Sequence, residues 1–190
     1  KIDKENQDKK RILTVGTAIV KNIDGLIEDF LEIDREDIEL YIIGGENENI
    51  RKIKSKYANN KNICRVKFTG ALSHKEVLEH YRNADIYVQA SIWDAYPIAV
   101  LEALAFGLPV IITDRVGTYS IIDNGTNGLV VKHDEKGAIR KAIETLLDSE
   151  ELRNKIGKNG YELAKRESWD NIGKEYKKIY EQLLKEQHQE

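Results

Sequence analysis

Short apolar runs alternate with amphipathic stretches along almost the whole chain, and this alternation leaves few folds open. Ile12 to Val15 reads as a first strand. Lys21 to Ile33 places Ile23, Leu26, Ile27, Phe30 and Leu31 at helical spacing. Ile38 to Ile43 is a second strand, and Ile50 to Tyr57 reads as a helix. Cys64 to Phe68 is a third strand. Ser73 opens a helix with Glu76 three residues on, the signature of a capping box. Ala84 to Gln89, Pro109 to Thr113 and Gly128 to Val131 give three more strands. Between them lie a helix from Pro97 to Phe106 and a short one around Tyr119 to Ile122. From Asp134 onward the pattern is helical with charged outer faces, and the tail EQHQE is expected to fray. Strands alternating with helices imply a parallel sheet of six strands with helices on both faces.

With 190 residues the chain fits one domain of ordinary size, and 41% hydrophobic residues suffice for a core. The net charge of −3 gives no reason to expect nucleic acid as a partner. A single cysteine, Cys64, excludes an internal disulfide and reads as a small apolar strand residue, compatible with a reducing compartment. His74 and His80 are six apart on one helix and face no common metal, while His133 and His188 read as surface residues. The longest apolar stretch contains Glu102 and Pro109, so it reads as buried helix and strand rather than a membrane span. The chain has no methionine and opens on the polar run KIDKENQDKK. Residues 1–10 therefore read as a linker or the edge of an excised piece, and 11–190 as one domain.

In parallel sheets of this kind ligands bind beyond the carboxyl ends of the strands. Here those ends read Gly16, Gly44-Gly45, Thr69-Gly70 and Ala90-Ser91. Glycine lets backbone approach a ligand closely, although any one of these is also an ordinary turn residue. Together they favour a site along that edge.

The segment SIWDAYPIAVLEALAFGLPVIITD bears most on the chemistry. Pro97 suits the first position of a helix, where its missing N–H is not needed. The helix that follows carries a single charge, Glu102, and an otherwise apolar helix belongs in the interior. A carboxylate there requires donors. Either a ligand diol or an Arg, Lys or backbone amide of the domain would supply them. Asp94, eight residues earlier, would either cap the helix or present its carboxylate to a polar ligand at the helix mouth. The N–H groups of Ile98, Ala99 and Tyr96 point the same way, and a helix N-terminus attracts anions. An acid for hydroxyls and amides for phosphate, in one turn, suit a sugar phosphate.

The series FTGALSHKEVLEHYRNADIYVQASIWDAYPIAVLEALAFGLPVIITDRVGTYSIIDNGTNGLVV resembles the donor-binding domain of group 1 retaining glycosyltransferases. The matching elements are Phe68 to Gly70, Ala84 to Ser91, Asp94 to Glu102, and the small-residue, glycine, proline run Ala105 to Val110. Trp169, followed by Tyr176 and Tyr180, matches the closing helix. The resemblance implies a Rossmann-like α/β domain forming the C-terminal half of a GT-B architecture. It implies that Glu102 binds the ribose hydroxyls and that Asp94 contacts the donor sugar. The backbone of Ala95, Tyr96, Pro97, Ile98 and Ala99 would hold the sugar and distal phosphate. Gly70, Ala71 and Leu72 would lie at the base, and the turn through Gly16, Thr17 and Lys21 at the diphosphate. Lys21 matches the family's lysine and, with the helix amides and Asp94, would carry the catalytic role. No metal or cofactor is implied. The donor is a nucleotide-sugar, with a UDP-sugar favoured over a GDP-sugar.

The resemblance also implies an acceptor-binding N-terminal domain in the same polypeptide and a cytoplasmic location, with contact at the inner face of a membrane left open. The last helix would form an exposed arm with an apolar patch. The sequence departs from the family's pattern in four places. Asp94 is usually glutamate, Thr17 stands where many members have arginine, the turn to Lys21 is one residue shorter, and Ser120 is often glutamate. These departures keep a second reading open, a non-catalytic nucleotide-sugar-binding or regulatory module. The first strand is followed by GTAIVKN rather than a GxGxxG turn, which ranks a dinucleotide-binding domain low.

Overall fold

The structure, a computed structural model, describes residues 9–187. Most of the proposed linker lies outside the described residues, as does His188. Six strands, β1 (Lys10–Val15), β2 (Ile38–Ile43), β3 (Val66–Gly70), β4 (Ile86–Gln89), β5 (Val110–Thr113) and β6 (Leu129–Val131), form one sheet. All their pairings are parallel, in the order β3-β2-β1-β4-β5-β6. The first strand begins at Lys10, so the sheet takes up the last residue assigned to the linker.

Among the described residues there are seven α-helices: α1 (Ile23–Leu31), α2 (Glu48–Tyr57), α3 (His74–Asn83), α4 (Ile98–Ala105), α5 (Ala138–Asp148) and α6 (Glu150–Arg166), which pack on the sheet or on its helices, and α7 (Trp169–Gln187), which is almost wholly exposed. The alternation along each strand splits the core in two. Ile12, Leu40, Ile42, Ile86, Val88 and Ile111 pack with α1, α2 and α5. Leu13, Ile43, Tyr87, Val110 and Ile112 point the other way, to α3, α4 and Leu163 of α6. Successive strand side chains face opposite sides, so a strand apolar at every position is buried on both.

Several boundaries differ from expectation for identifiable reasons. The first helix begins at Ile23 because Ile19–Lys21 forms a separate 3₁₀ turn, ended by Asn22 at φ 51°. The Asn22 side chain then accepts from the Gly25 N–H and caps α1. Cys64 lies in a 3₁₀ turn, Ile63–Arg65, and is exposed, not a buried strand residue. The buried member of that turn is Arg65, whose guanidinium donates to the carbonyls of Ile33 and Arg35 and lies over the Phe30 ring. The short helix expected at Tyr119 to Ile122 is a 3₁₀ turn at Gly117–Ser120. His133, expected at the surface, is half-buried beside Asp114, with 3.2 Å between Nδ1 and Oδ1. The capping box at Ser73 and Glu76 forms as expected.

The tail is helical through Gln187, with residues 188–190 outside the described set. Helix α7 carries an exposed apolar row, Trp169, Tyr176, Ile179, Tyr180, Leu183 and Leu184. Helix α6 instead presses on α4 through glycines. A Cβ on Gly157 would stand 2.2 Å from the Gly107 carbonyl oxygen, and one on Gly160 would stand 2.6 Å from Leu104 Cδ2. Gly157→Ala should therefore destabilise the chain by roughly 1–3 kcal/mol, the usual cost of overpacking. Urea denaturation followed by far-UV circular dichroism measures it.

Candidate functional site

In the order β3-β2-β1-β4-β5-β6 the chain winds outward in both directions from β1 and β4. The loops leaving those two strands meet at the carboxyl ends, the place where such sheets bind ligands, with Ile92 N donating to Val20 O at 2.9 Å. The loop after β1 starts at Gly16, whose φ of +104° favours glycine. The Lys21 stem lies against it, and a Cβ on Gly16 would stand 2.9 Å from Lys21 Cε. The loop after β4 carries Asp94. Lys21 Nζ donates to Asp94 Oδ2 at 2.6 Å, with the two side chains 18% and 17% exposed. The switch point thus brings together two residues 73 positions apart.

Asp94 does not cap α4. The N-cap is Pro97, with no side-chain cap hydrogen bond, one position earlier than the first helical residue expected for it. A helix start without a side-chain cap leaves its first N–H groups lacking intrahelical partners. The backbone of the Asp94 loop is tied to the loop after β5. Asp94 N donates to Arg115 O at 3.2 Å, and Gly117 N donates to Asp94 O at 2.8 Å. Beneath it, Ser91 is fully buried, accepting at Oγ from Gln89 Nε2 and at its carbonyl from Thr113 Oγ1.

Glu102 is not fully buried as expected. Its side chain is 28% exposed, because α4 buries Val100, Ala103 and Leu104 and turns its other side outward. No Lys or Arg pairs with it among the described residues. Tyr81 Oη donates to Glu102 Oε2 at 3.0 Å, and His74 Nδ1 lies 3.9 Å from Oε1. Burial, followed by the charges of Tyr87 and Glu102, pushes the Tyr81 hydroxyl far above its ordinary pKa. It therefore stays protonated and remains a donor. His74 is the first residue of α3, directly after the Gly70 to Ser73 loop, so Glu102 faces that loop.

The remaining predicted residues line the same edge. Gly70 ends β3 at φ +77° with open space on its Cβ side, Ala71 is exposed, and Leu72 packs against the core. Thr17 is turned inward: Oγ1 donates to Gly45 O at 2.8 Å, and Asn47 Nδ2 donates to Thr17 O at 2.9 Å. Tyr96 directs its hydroxyl to Glu167, and the Ala99 carbonyl accepts from Tyr81. Pro97 is buried, while Ala95 and Ile98 are exposed. Ser120 bonds its own turn through Gly117 O. Among the described residues, no three His, Cys, Asp or Glu side chains cluster as metal ligands, and no helix is long and apolar enough to cross a membrane.

The family model described as "Glycosyl transferases group 1" matches residues 1–163. The chain belongs to the group 1 glycosyl transferases. Among relatives of this family, the chain is 28% identical to the N,N'-diacetylbacillosaminyl-diphospho-undecaprenol alpha-1,3-N-acetylgalactosaminyltransferase of Campylobacter jejuni, over 80% of this chain and 39% of that one. Its fold matches the C-terminal domain of a group 1 family protein, LpcC, from Francisella tularensis, with TM-score 0.77 and 24% identity over 84% of this chain and 86% of that one. It also matches Anabaena Alr3699/HepE, solved in complex with UDP and glucose, with TM-score 0.81 and 16% identity over 94% of this chain and 49% of that one. The chain spans about half the length of the curated relatives it matches.

Two features of this glycosyltransferase domain escaped the sequence reading. Tyr81, which holds Glu102, sits in an ordinary amphipathic helix and carries no local signal. Gly117 is the second. A Cβ there would fall 1.5 Å from the Ala95 carbonyl oxygen, so the Asp94 loop packs against bare backbone. Gly117→Ala should push that loop away and break its two backbone bonds, at a cost of about 2–4 kcal/mol. Urea denaturation reads the loss.

Proposed function

We propose that this domain binds a nucleoside-diphosphate sugar and presents it for retaining transfer to an acceptor hydroxyl. The observation that supports this most is the meeting of Lys21 and Asp94 at the switch point, beside an uncapped helix start. In this reading the diphosphate lies against Lys21 and the N-terminus of α4. Both favour negative charge, and both are in place before the glycosidic bond breaks, so they stabilise the leaving nucleoside diphosphate as charge develops. Asp94 takes hydroxyls of the sugar. Glu102, held by Tyr81 and with one oxygen facing outward, takes the ribose diol, and the Gly70, Ala71 and Leu72 loop flanks the base. The solved relative holding UDP and glucose favours a uridine donor over a guanosine one.

The acceptor site belongs to the part of the full protein that the relatives' extra length represents. That half would cover the apolar row of α7. Acceptors of the polysaccharide, lipopolysaccharide or lipid-linked kind fit the family, and the Campylobacter relative is named for a lipid-linked acceptor. No metal is needed in this scheme, since Lys21 and the helix do that work. The protein acts in the cytoplasm or at the inner membrane face. A non-catalytic binding module is the alternative, and an assay of the full-length protein for sugar-nucleotide transfer separates the two.

Calorimetry with uridine, guanosine and adenosine diphosphates tests the site. At least one should bind this 190-residue chain, with little or no turnover of its sugar conjugate. Silence from all three at millimolar concentration refutes the reading. Glu102→Ala should weaken binding roughly 10- to 100-fold, the scale of hydrogen bonds to a charged group. Lys132→Ala, which removes an exposed partner of Asp114, should leave it unchanged. Equal effects would remove Glu102 from the site.

A further inference from the structure

The Lys21–Asp94 contact places the two groups assigned to the donor against each other. The backbones that carry them are fixed. Ile92 N donates to Val20 O at 2.9 Å, joining the two loops, and Asp94 is held on its other side by Arg115 and Gly117. Among the described residues neither charged group has a second hydrogen-bonding side chain. A cation mostly withdrawn from water and engaged by a carboxylate is not free for phosphate. A bound diphosphate that takes the cation leaves a carboxylate of like charge beside it, which is unfavourable unless new donors reach that carboxylate.

We propose that the Lys21–Asp94 pair is an exchangeable latch that favours the intact donor over the spent nucleotide. The inference rests on the donor-site reading above. An incoming sugar nucleotide draws Lys21 onto its diphosphate, and the sugar hydroxyls donate to the released Asp94, so both members of the broken pair are satisfied. After transfer the sugar is gone. The nucleoside diphosphate still engages Lys21 but leaves Asp94 without donors. Asp94 then recovers Lys21, and the product leaves. The pair is thus a specificity element for the donor and a means of product release. Only the side chains need rotate, since both loops are held by backbone bonds.

Binding of UDP and UDP-glucose, and of GDP and GDP-mannose, to the wild-type chain, Asp94→Asn, Lys21→Gln and the double variant tests it by calorimetry. Asp94→Asn should bind the free nucleoside diphosphate about three- to tenfold more tightly than wild type, the scale of a close charge pair. It should gain nothing for the sugar conjugate. In the Lys21→Gln background the gain from Asp94→Asn should be smaller, because no pair is left to break and only the like-charge repulsion is relieved. An Asp94→Asn chain that melts like wild type yet binds the diphosphate no more tightly overturns the latch. If that variant fails to fold, a crystal structure of the wild-type chain with UDP decides. Lys21 Nζ should then lie beyond 4 Å from Asp94 and contact a phosphate oxygen, whereas an intact pair beside bound UDP overturns the proposal. A wild-type chain that binds none of the four ligands overturns the donor-site reading itself, and the latch with it.

Discussion

A parallel sheet covered by helices on both faces has no free face to offer a ligand. Every residue from Ile86 to Gln89 and from Val110 to Thr113 is buried, so the middle of the sheet is closed on both sides. Polar chemistry is confined to the strand ends, and at the carboxyl end the loops of β1 and β4 meet, Ile92 N donating to Val20 O. Placement of Lys21, Asp94 and Glu102 follows from that confinement. Lys21 leaves β1 through a 3₁₀ turn, Asp94 leaves β4 through an extended loop, and Glu102 sits midway along the helix that this loop feeds. The fold brings three residues distant in sequence to one rim without any of them belonging to the core.

The fold was largely readable because burial on two faces leaves a plain signature. Ile38 to Ile43 is apolar but for Glu39, and its bounds came out as expected. The capping box at Ser73 has its own local chemistry and was equally visible. Errors gathered where local pattern and tertiary demand part. Cys64 continues an apolar-looking run, yet the chain turns there so that Arg65 can reach the carbonyls of Ile33 and Arg35. Helix α4 looks uniformly apolar, and periodicity cannot reveal that Val100, Ala103 and Leu104 are its fully buried side.

The candidate residues could be picked out from the sequence, but not how they pair. The spacing from Asp94 to Glu102 marks both acids, and nothing in it says that one pairs with a lysine and the other with a tyrosine. Those partners come from β1 and α3, far off in sequence. Thr17 is another case. Its side chain closes a turn with Gly45, so this loop has a structural hydroxyl at that position. In the proposed donor-site reading, negative charge at this rim is met by Lys21 and the α4 N-terminus, so the pairing of that ammonium governs what binds.

Helix α4 is held from behind as well as read from the front. Gly157 and Gly160 of α6 bring backbone against Gly107 and the Leu104 side chain, with no room for an added methyl group. The helix cannot retreat when something presses on its open side. Substitutions that enlarge the exposed Ile98 or Ala105 therefore act directly on whatever lies in front of them, rather than being absorbed by a shift of the scaffold. The outward strip can therefore change in shape while the rear remains fixed, without redesign of the interior.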